Sequence, residues 1–397
     1  MLPIPRSTRN GSVNALSRLV ALPSPEKQER GLLYTPAEIL QQPATWQMTW
    51  RLFREMRDEL AGFLRQAHEE KWTVFLVGAG TSDYIGRSLS GLLRQRWNTE
   101  VMAVASTDLL AGRDEYLIEG RKYLWISFSR SGESPEGVAV LEQALAECPN
   151  VKHLVVSCNA KGRMVRLAHD SSAATAVVLD DVVNDRSLAM TSSFTNMLLL
   201  GQGLAHLWEP ESFEATLERM TVAAEYLLDA GSHLAHEIAT QKNRLACFVG
   251  AGGLGGAAKE SGLKLTELTG GRVVALSETT LGLRHGPMSA LNRETVFTAF
   301  VANGERQRRY DLDLVREIRA KDVVRTIVCV GAEENAANHS LFCDAFAGIG
   351  DGYRPAVDVI FGQMLGLFSS IELGLKPDSP SPSGLISRVV PPFTIYP

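Results

Sequence analysis

The sequence has few features of a nucleic-acid-binding, membrane or secreted protein. Of its 397 residues only 21% are charged, the formal net charge is −5, and Lys and Arg never form a run longer than a pair. This composition lacks the basic stretch that binds nucleic acid or an acidic membrane. No apolar run approaches the roughly 18 residues that span a bilayer, and the first residues lack the apolar segment of a secretory signal. We therefore expect neither nucleic acid nor a membrane as a partner.

Cysteine is also scarce, and no two cysteines have the C-x-x-C spacing of a metal or redox site. Three of them lie in or beside apolar, strand-like runs, so we expect buried, reduced thiols and a cytoplasmic location. The segment His233–Glu237 (HLAHE) matches no zinc-binding motif, and we expect no metal. The five cysteines are Cys148, Cys158, Cys247, Cys329 and Cys343.

A repeated turn indicates an internal duplication. The sequence VGAG ends an apolar run at Val77–Gly80 and does so again at Val249–Gly252. In each half, short apolar runs alternate with helical patterns, which predicts parallel sheets covered by helices on both faces. We predict an N-terminal surface arm (1–49), two α/β domains (50–212 and 213–375) and a proline-rich tail (376–397).

The second copy of this turn raises the question of a nicotinamide cofactor. Phe248–Gly256 (FVGAGGLGG) contains G-x-G-x-x-G after an apolar run, and the acidic Glu278 follows at about the distance of a dinucleotide site. However, the turn occurs twice, and its first copy has Ser82 and Asp83 where the third glycine would stand. We therefore predict no NAD and no other cofactor.

Two hydroxyl-rich turns in the first half predict a phosphate site. Gly78–Asp83 (GAGTSD) and Ser127–Ser134 (SFSRSGES) each follow a strand-like run and lead into a helical pattern. Ligands of parallel sheets bind at the carboxyl ends of strands, where helix N-termini offer free N–H groups. A single serine there would more often be a helix cap, but two such turns on neighbouring strands favour a phosphate ligand.

The helical segment 255–270 carries a polar row. Glu260, Lys264 and Glu267 are spaced i, i+4, i+7 and therefore share one face. One interpretation of such a row is a solvated, salt-bridged stripe on the helix surface. The alternative reading is a carboxylate that moves a proton between adjacent carbons, with a lysine beside it. Downstream, His285 lies in a stiff Gly-Pro turn and is a candidate for opening a sugar ring by proton transfer.

Together these segments resemble the double SIS (sugar isomerase) family of phosphosugar enzymes over about residues 50–397. The resemblance rests on Gly80–Ser82, on Ser129–Ser134, on the E-x-x-x-K-x-x-E of Glu260–Glu267, and on His285–Pro287. It implies two tandem flavodoxin-like α/β domains, each a parallel sheet sandwiched by helices, in a cofactor-independent homodimer that acts on small sugar phosphates.

The resemblance also implies roles for individual residues. The proton-transferring base would be Glu267, and Glu260 and Lys264 would help to bind and polarise the open-chain sugar. The ring-opening group would be His285, donated in this family by the neighbouring subunit. The residues implied to bind the sugar phosphate are Ser82, Ser129, Ser131 and Ser134. Further candidates for substrate contacts are Thr81, Arg130, Ser192 and Arg388.

Other segments resemble one branch of that family, the AgaS-type proteins of N-acetylgalactosamine and galactosamine catabolism. These segments are Thr35–Pro43, Ala189–Thr195 and the tail, in which Arg388 is the one cation after Pro382. We expect no counterpart of the glutaminase domain of the related synthases, and hence no ammonia source within the protein. The branch implies deamination of galactosamine 6-phosphate to tagatose 6-phosphate. A plain aldose–ketose isomerase, a fructosamine-phosphate deglycase and a non-catalytic phosphosugar sensor remain alternatives.

Overall fold

The two predicted parallel sheets are present in the computed structural model, which describes residues 14–381 and 383–396. Each sheet has five parallel strands, and the orders are β2-β1-β3-β4-β5 and β7-β6-β8-β9-β10. The two halves therefore share one topology, as the repeated turn predicts. The strands are β1 (Thr73–Gly78), β2 (Val101–Ala105), β3 (Tyr123–Ser129), β4 (Val151–Ser157), β5 (Ala174–Val178), β6 (Leu245–Val249), β7 (Val274–Glu278), β8 (Thr295–Phe300), β9 (Thr326–Val330) and β10 (His339–Leu341).

Helices cover both faces of each sheet, which is why strands such as β1 and β3 are apolar and buried along their whole length. The helices are α1 (Ala15–Val20), α2 (Ser24–Arg30), α3 (Thr35–Leu40), α4 (Gln42–Glu69), α5 (Thr81–Trp97), α6 (Ser106–Gly112), α7 (Pro135–Glu147), α8 (Arg163–His169), α9 (Ser192–Ala205), α10 (Glu211–Tyr226), α11 (Ser232–Thr240), α12 (Gly253–Leu268), α13 (Glu305–Lys321), α14 (Asp344–Ala347) and α15 (Pro355–Glu372). Within the described residues, none of these helices combines the length and apolar character needed to cross a membrane.

The N-terminal residues are not the surface arm that the sequence predicts. From Ala15 onward they form α1 to α3 and the start of α4, which begins at Gln42. Leu16, Ile39 and Trp46 are fully buried. The prediction was wrong because prolines at the first turns of α2, α3 and α4 begin these helices rather than interrupting them. Residues 1–13 lie outside the described part of the chain.

Helix α12 lies between the two halves, packed on α5 and α15. Its contact with α5 is close because Gly256 has no side chain. A Cβ atom there would lie 2.2 Å from the Ser88 hydroxyl oxygen. This approach brings the polar row of α12 against the first turn of α5, and so places it beside the glycine turn after β1.

All five cysteines are free thiols. The three that the sequence places near strands, Cys158, Cys247 and Cys329, are buried, and burial raises their pKa well above the ordinary thiol value. They act as small apolar residues of the core.

Candidate active site

A cavity of about 730 Å³ opens at the carboxyl ends of β1 and β3. The glycine turn after β1, the serine loop after β3, the end of α12 and the C-terminal tail all contribute to its walls. The structure therefore brings together eight of the twelve residues that the sequence singles out. These eight are Thr81, Ser82, Ser129, Arg130, Ser131, Ser134, Glu267 and Arg388.

The glycine turn after β1 is shaped by close backbone packing. A Cβ atom on Gly78 would lie 2.4 Å from the carbonyl carbon of Ser82, so only glycine fits there. Gly80 has a φ of 55° and leads directly into the first turn of α5, which begins at Thr81. The turn therefore presents the N-terminus of α5, with Thr81 and Ser82 in its first turn, to the cavity.

The loop after β3 is held by its own hydroxyl groups. The Ser129 hydroxyl accepts a hydrogen bond from the Gly132 N–H at 3.1 Å, and the Ser131 hydroxyl accepts one from the Glu133 N–H at 3.2 Å. Ser134 occupies the N-cap position of α7, but its side chain forms no capping hydrogen bond. The helix-cap alternative is therefore not realised at Ser134, which is one of the residues that line the cavity.

The polar row of α12 is a buried ionic cluster rather than a solvated stripe. The Lys264 ammonium lies 2.5 Å from a Glu267 carboxylate oxygen and 3.3 Å from a Glu260 carboxylate oxygen. It also donates a hydrogen bond to the Thr81 hydroxyl at 3.0 Å. The side chains of Glu260 and Lys264 are completely buried, whereas the Glu267 side chain is 22% exposed. Only Glu267 of the three lines the cavity.

This arrangement corrects one expectation. Glu260 and Lys264 do not line the cavity, and their side chains are fully buried. Both contact the Thr81 hydroxyl, at 3.3 Å and 3.0 Å. They therefore act on any ligand through Thr81 and Glu267. We describe Lys264, Glu260 and Thr81 as positioning residues.

Burial controls the charge of the cluster. It raises the pKa of Glu260 to about 8, an effect that the Lys264 charge opposes and the Glu267 charge reinforces. One Glu260 oxygen has no hydrogen-bond partner among the described residues. Burial alone would lower the pKa of Lys264, but the two carboxylates outweigh it and raise that pKa. Near neutral pH burial thus favours the neutral form of Glu260, while the neighbouring glutamates favour the charged form of Lys264.

The shifted pKa of Glu260 predicts a pH-dependent stability. Between the ordinary value of 4.5 and about 8, the folded state binds one proton more than the unfolded state, so the free energy of unfolding decreases as the pH rises through this range. Urea unfolding at several pH values measures this free energy. In the Glu260→Gln variant it should decrease less steeply with pH than in the wild type. Glu59 is exposed, so the control variant Glu59→Gln should show the same dependence on pH as the wild type. The same pH dependence in all three proteins would contradict the raised pKa of Glu260.

Two further predicted residues lie away from the cavity. Ser192 is fully buried at the start of α9, where its N–H donates to Asp185 and its hydroxyl accepts from the Gln41 amide. The prediction of a substrate contact for Ser192 is therefore wrong, because its polar groups are used in the fold. His285 is exposed in the turn that follows β7 and does not line the cavity of its own chain.

Sequence reasoning missed the residues that support the serine loop. The Asn159 side-chain amide donates to the Ser131 carbonyl at 2.8 Å, and Glu136 of α7 lines the cavity. Asn159 closely follows β4, the next strand of the sheet, and this position at a carboxyl end was the available signal. Within residues 14–381 and 383–396, no three His, Cys, Asp or Glu side chains are grouped so as to hold a metal.

The second half contains a counterpart of the serine loop, just before α13. There the backbone N–H groups of Asn303 and Gly304 donate to the two carboxylate oxygens of Asp351, at 2.6 Å and 2.9 Å. The Asp351 carboxylate thus already interacts with the positive end of the α13 dipole, where a ligand anion would otherwise bind. The two halves share a topology, but the serines of the loop after β3 have no counterpart in residues 301–304 of the second half.

Several known proteins are similar to this chain over most of its length. AgaS of Streptomyces coelicolor is 37% identical over 370 residues, which cover 92% of this chain and 95% of the relative. The D-galactosamine-6-phosphate deaminase AgaS of Escherichia coli is 32% identical and is covered to 96%. The crystal structure of tagatose-6-phosphate ketose/aldose isomerase from Escherichia coli superimposes with a TM-score of 0.81 at 30% identity, over 91% of this chain and 96% of that one. No protein-family model matches the chain.

Proposed function

The chain belongs to the AgaS family, and on that premise we propose that it converts galactosamine 6-phosphate and water to tagatose 6-phosphate and ammonia. One observation carries the proposal: a single cavity joins the hydroxyl-rich turns after β1 and β3 to the carboxylate of Glu267. The turns suit a phosphate, and the carboxylate suits proton transfer on the carbon chain of the same ligand.

The proposed binding step uses the first half of the chain. The hydroxyl groups of Ser82, Ser129, Ser131 and Ser134, with the N–H groups at the start of α5, hold the 6-phosphate. Hydroxyl and backbone donors are neutral, and they bind a phosphate without the basic surface that this acidic chain lacks. The sugar carbons then extend toward the end of α12, where Glu267 faces the cavity.

The proposed chemical step is a proton transfer through an enolamine. Once the ring is open, Glu267 removes the proton from C2 of the amino aldose, and the resulting enolamine is protonated at C1. The product is a ketimine at C2, which water hydrolyses to the ketose and ammonia. The overall conversion transfers no hydride, so it has no need of a nicotinamide. The buried Lys264 holds the Glu267 carboxylate in position throughout.

We further propose that the active unit is a homodimer in the cytoplasm, acting in N-acetylgalactosamine and galactosamine catabolism. Because His285 is exposed outside the cavity of its own chain, a second copy could present it to the sugar ring. Mixing an inactive Glu267→Gln protein with an inactive His285→Ala protein should then restore activity, since one site of the mixed dimer keeps both groups. Activity that stays absent after subunit exchange, confirmed by tagged pull-down, would argue against donation between subunits.

The test of the proposed reaction is ammonia release from galactosamine 6-phosphate with no added cofactor, with glucosamine 6-phosphate and tagatose 6-phosphate assayed beside it. Ammonia from the galacto sugar alone supports the proposal. Interconversion of tagatose 6-phosphate with its aldose, without ammonia, would favour a plain isomerase instead, in keeping with the name of the structurally similar Escherichia coli protein. No reaction with any of the three would leave a deglycase or a sensor.

The phosphate role of the serine loop predicts a selective effect on KM. Ser131→Ala should raise KM by roughly 10- to 150-fold, as expected for the loss of a hydrogen bond to a charged group, and should leave kcat within about twofold. Ser171 provides a matched control at the opposite end of the sheet. Its hydroxyl accepts a hydrogen bond from the Ala173 N–H at 3.2 Å, the same distance as between the Ser131 hydroxyl and the Glu133 N–H. Steady-state kinetics should show no change for Ser171→Ala. A fall in kcat alone for Ser131→Ala would contradict the phosphate assignment.

A further inference from the structure

The segment that precedes α9, residues 186–190, forms part of the cavity wall, and we call it the wall segment. Its residues Leu188 and Met190 line the cavity. The side chain of Arg130, in the serine loop, donates to the carbonyls of Ser187 and Leu188 at 3.4 Å and 3.2 Å. The serine loop is therefore attached to the wall segment, and a displacement of this segment would reach the hydroxyl groups of the loop.

On its other side the wall segment is held by Glu38 of α3, which is only 6% exposed. One carboxyl oxygen of Glu38 accepts the N–H groups of Arg186 and Ser187, at 2.5 Å and 3.3 Å. The other carboxyl oxygen lies 2.5 Å from the Ser187 hydroxyl oxygen. Both oxygens of this buried side chain thus contact the same short segment, which connects α3 to the cavity wall.

The contacts of the Ser187 hydroxyl indicate that Glu38 carries a proton. A serine hydroxyl has one hydrogen to donate. Its oxygen nevertheless lies within hydrogen-bonding distance of two acceptors, the Glu38 carboxyl at 2.5 Å and the Ala189 carbonyl at 3.0 Å. Both contacts are satisfied when Glu38 donates to the Ser187 hydroxyl and Ser187 in turn donates to the Ala189 carbonyl. The second Glu38 oxygen then remains the acceptor of the two backbone N–H groups.

The charges around Glu38 favour the same neutral form. Burial, followed by the charge of Asp185, raises the pKa of Glu38 to about 7, against the opposing effect of the hydrogen bonds from the wall segment. Asp378 accepts N–H groups at the first turn of α3, and the Arg186 guanidinium pairs with Asp181. These neighbours of Glu38 and of its helix add negative charge, which disfavours a further carboxylate.

We propose that Glu38 is a positioning residue of the active site: as a neutral acid it fixes the wall segment and, through Arg130, the serine loop. The proposal rests on the proposed function only in taking galactosamine 6-phosphate as the ligand of the cavity. When Glu38 loses its proton, the single Ser187 hydrogen has two acceptors and a second negative charge stands beside Asp185. Both effects loosen the wall segment.

Two substitutions of Glu38 separate its hydrogen bonds from its charge. Glutamine reproduces the neutral acid, because its amide can donate to the Ser187 hydroxyl while its oxygen accepts the two N–H groups. At pH 6, calorimetry should show that Glu38→Gln binds inorganic phosphate within about twofold of wild type. Glu38→Ala should bind it roughly tenfold more weakly, the scale of one or two neutral hydrogen bonds, and should raise KM with kcat within about threefold.

The control is Glu29→Ala, because Glu29 is exposed on the neighbouring helix α2. This variant should bind phosphate as the wild type does. Unchanged binding in Glu38→Ala, or a glutamine variant as weak as the alanine variant, would overturn the proposal.

The role of the proton is tested by the pH dependence of a ratio. Titration of the phosphate itself affects wild type and Glu38→Gln alike, so the ratio of their dissociation constants isolates Glu38. We expect a ratio near one at pH 6 and a wild type that binds at least about threefold more weakly than Glu38→Gln at pH 8.5. A ratio that stays constant over this range would overturn the assignment of Glu38 as a neutral acid.

Hydrogen–deuterium exchange distinguishes positioning from a purely structural role. In Glu38→Ala the amides of Gly132 and Glu133, which donate to serine hydroxyls of their own loop, should exchange roughly tenfold faster than in wild type. Faster exchange confined to residues 186–187 would mean that Glu38 stabilises the wall segment alone, and would overturn the proposal.

The positioning role and the proposed reaction can fail separately. Exchange is measured without substrate, so faster exchange in the serine loop of Glu38→Ala would support the positioning role even if galactosamine 6-phosphate releases no ammonia. Ammonia release, together with unchanged exchange in that loop, would retain the reaction and overturn the positioning role.

Discussion

Replacing Glu267 by Gln should lower kcat by about 10²- to 10⁴-fold, the range over which positioned acid–base groups act. Glutamine keeps the size of the side chain and an oxygen that can accept from Lys264, but it cannot take a proton from carbon. The binding of galactosamine 6-phosphate should stay within about tenfold of wild type, because the proposed phosphate contacts come from the turns after β1 and β3 and not from α12. Steady-state ammonia release and calorimetric binding measure the two quantities.

Glu267→Asp provides the comparison for this variant. It retains a carboxylate on a shorter side chain, so it should keep more activity than the glutamine variant while losing part of the contact with Lys264. Near-normal turnover in Glu267→Gln would remove Glu267 as the base. Loss of both turnover and binding would indicate that the substitution disturbs the cavity as a whole.

Replacing Lys264 by Met should destabilise the protein by about 3–5 kcal/mol, the usual cost of removing one partner from a buried ion pair. Lys264 is completely buried and contacts Glu260, Glu267 and the Thr81 hydroxyl. Methionine fills a similar volume but leaves the carboxylate of Glu267 without this cation. Urea denaturation of the variant at neutral pH gives the free energy of unfolding directly.

Combining Lys264→Met with Glu260→Gln shows whether the loss of stability arises from the ionic cluster. If burial already keeps Glu260 protonated, Glu260→Gln alone should cost much less than Lys264→Met, and the two effects should couple because the side chains are in contact. Strict additivity of the two effects would contradict the buried cluster. A Lys264→Met protein as stable as wild type would do the same.

The fold could be predicted because its signals are local and repeated. The apolar strands, the duplicated VGAG turn and the helical spacings together favour one architecture of two parallel sheets. The rule that the carboxyl ends of parallel strands meet at one edge placed the two hydroxyl-rich turns side by side, whereas Glu267 was assigned to the same site only through the family resemblance. The resemblance to the sugar isomerase family then connected these residues to a chemistry, which the AgaS relatives support.

The remaining features of the site depend on tertiary packing, which the spacing of residues along the sequence does not reveal. The spacing of Glu260 and Lys264 showed that they share a face with Glu267 but not which of them reaches the cavity. That was decided by the close approach of α5 at Gly256, which buries two of the three. Ser192 was misassigned for a similar reason, since its partner Asp185 lies on a separate loop. The N-terminal helices were missed because prolines at their first turns resembled loop residues.

Asp351 has a consequence for how many ligands one chain can take up. Since its carboxylate already accepts the N–H groups of Asn303 and Gly304, these two donors are not available to a second phosphate, and the negative charge of Asp351 would repel one at this loop. A titration with inorganic phosphate should therefore saturate at a stoichiometry of one per chain, although the architecture is present twice. The two halves would then have different functions: the first half would bind the phosphate, and the second half would supply the Glu267 carboxylate. The chain would bind one ligand and not two.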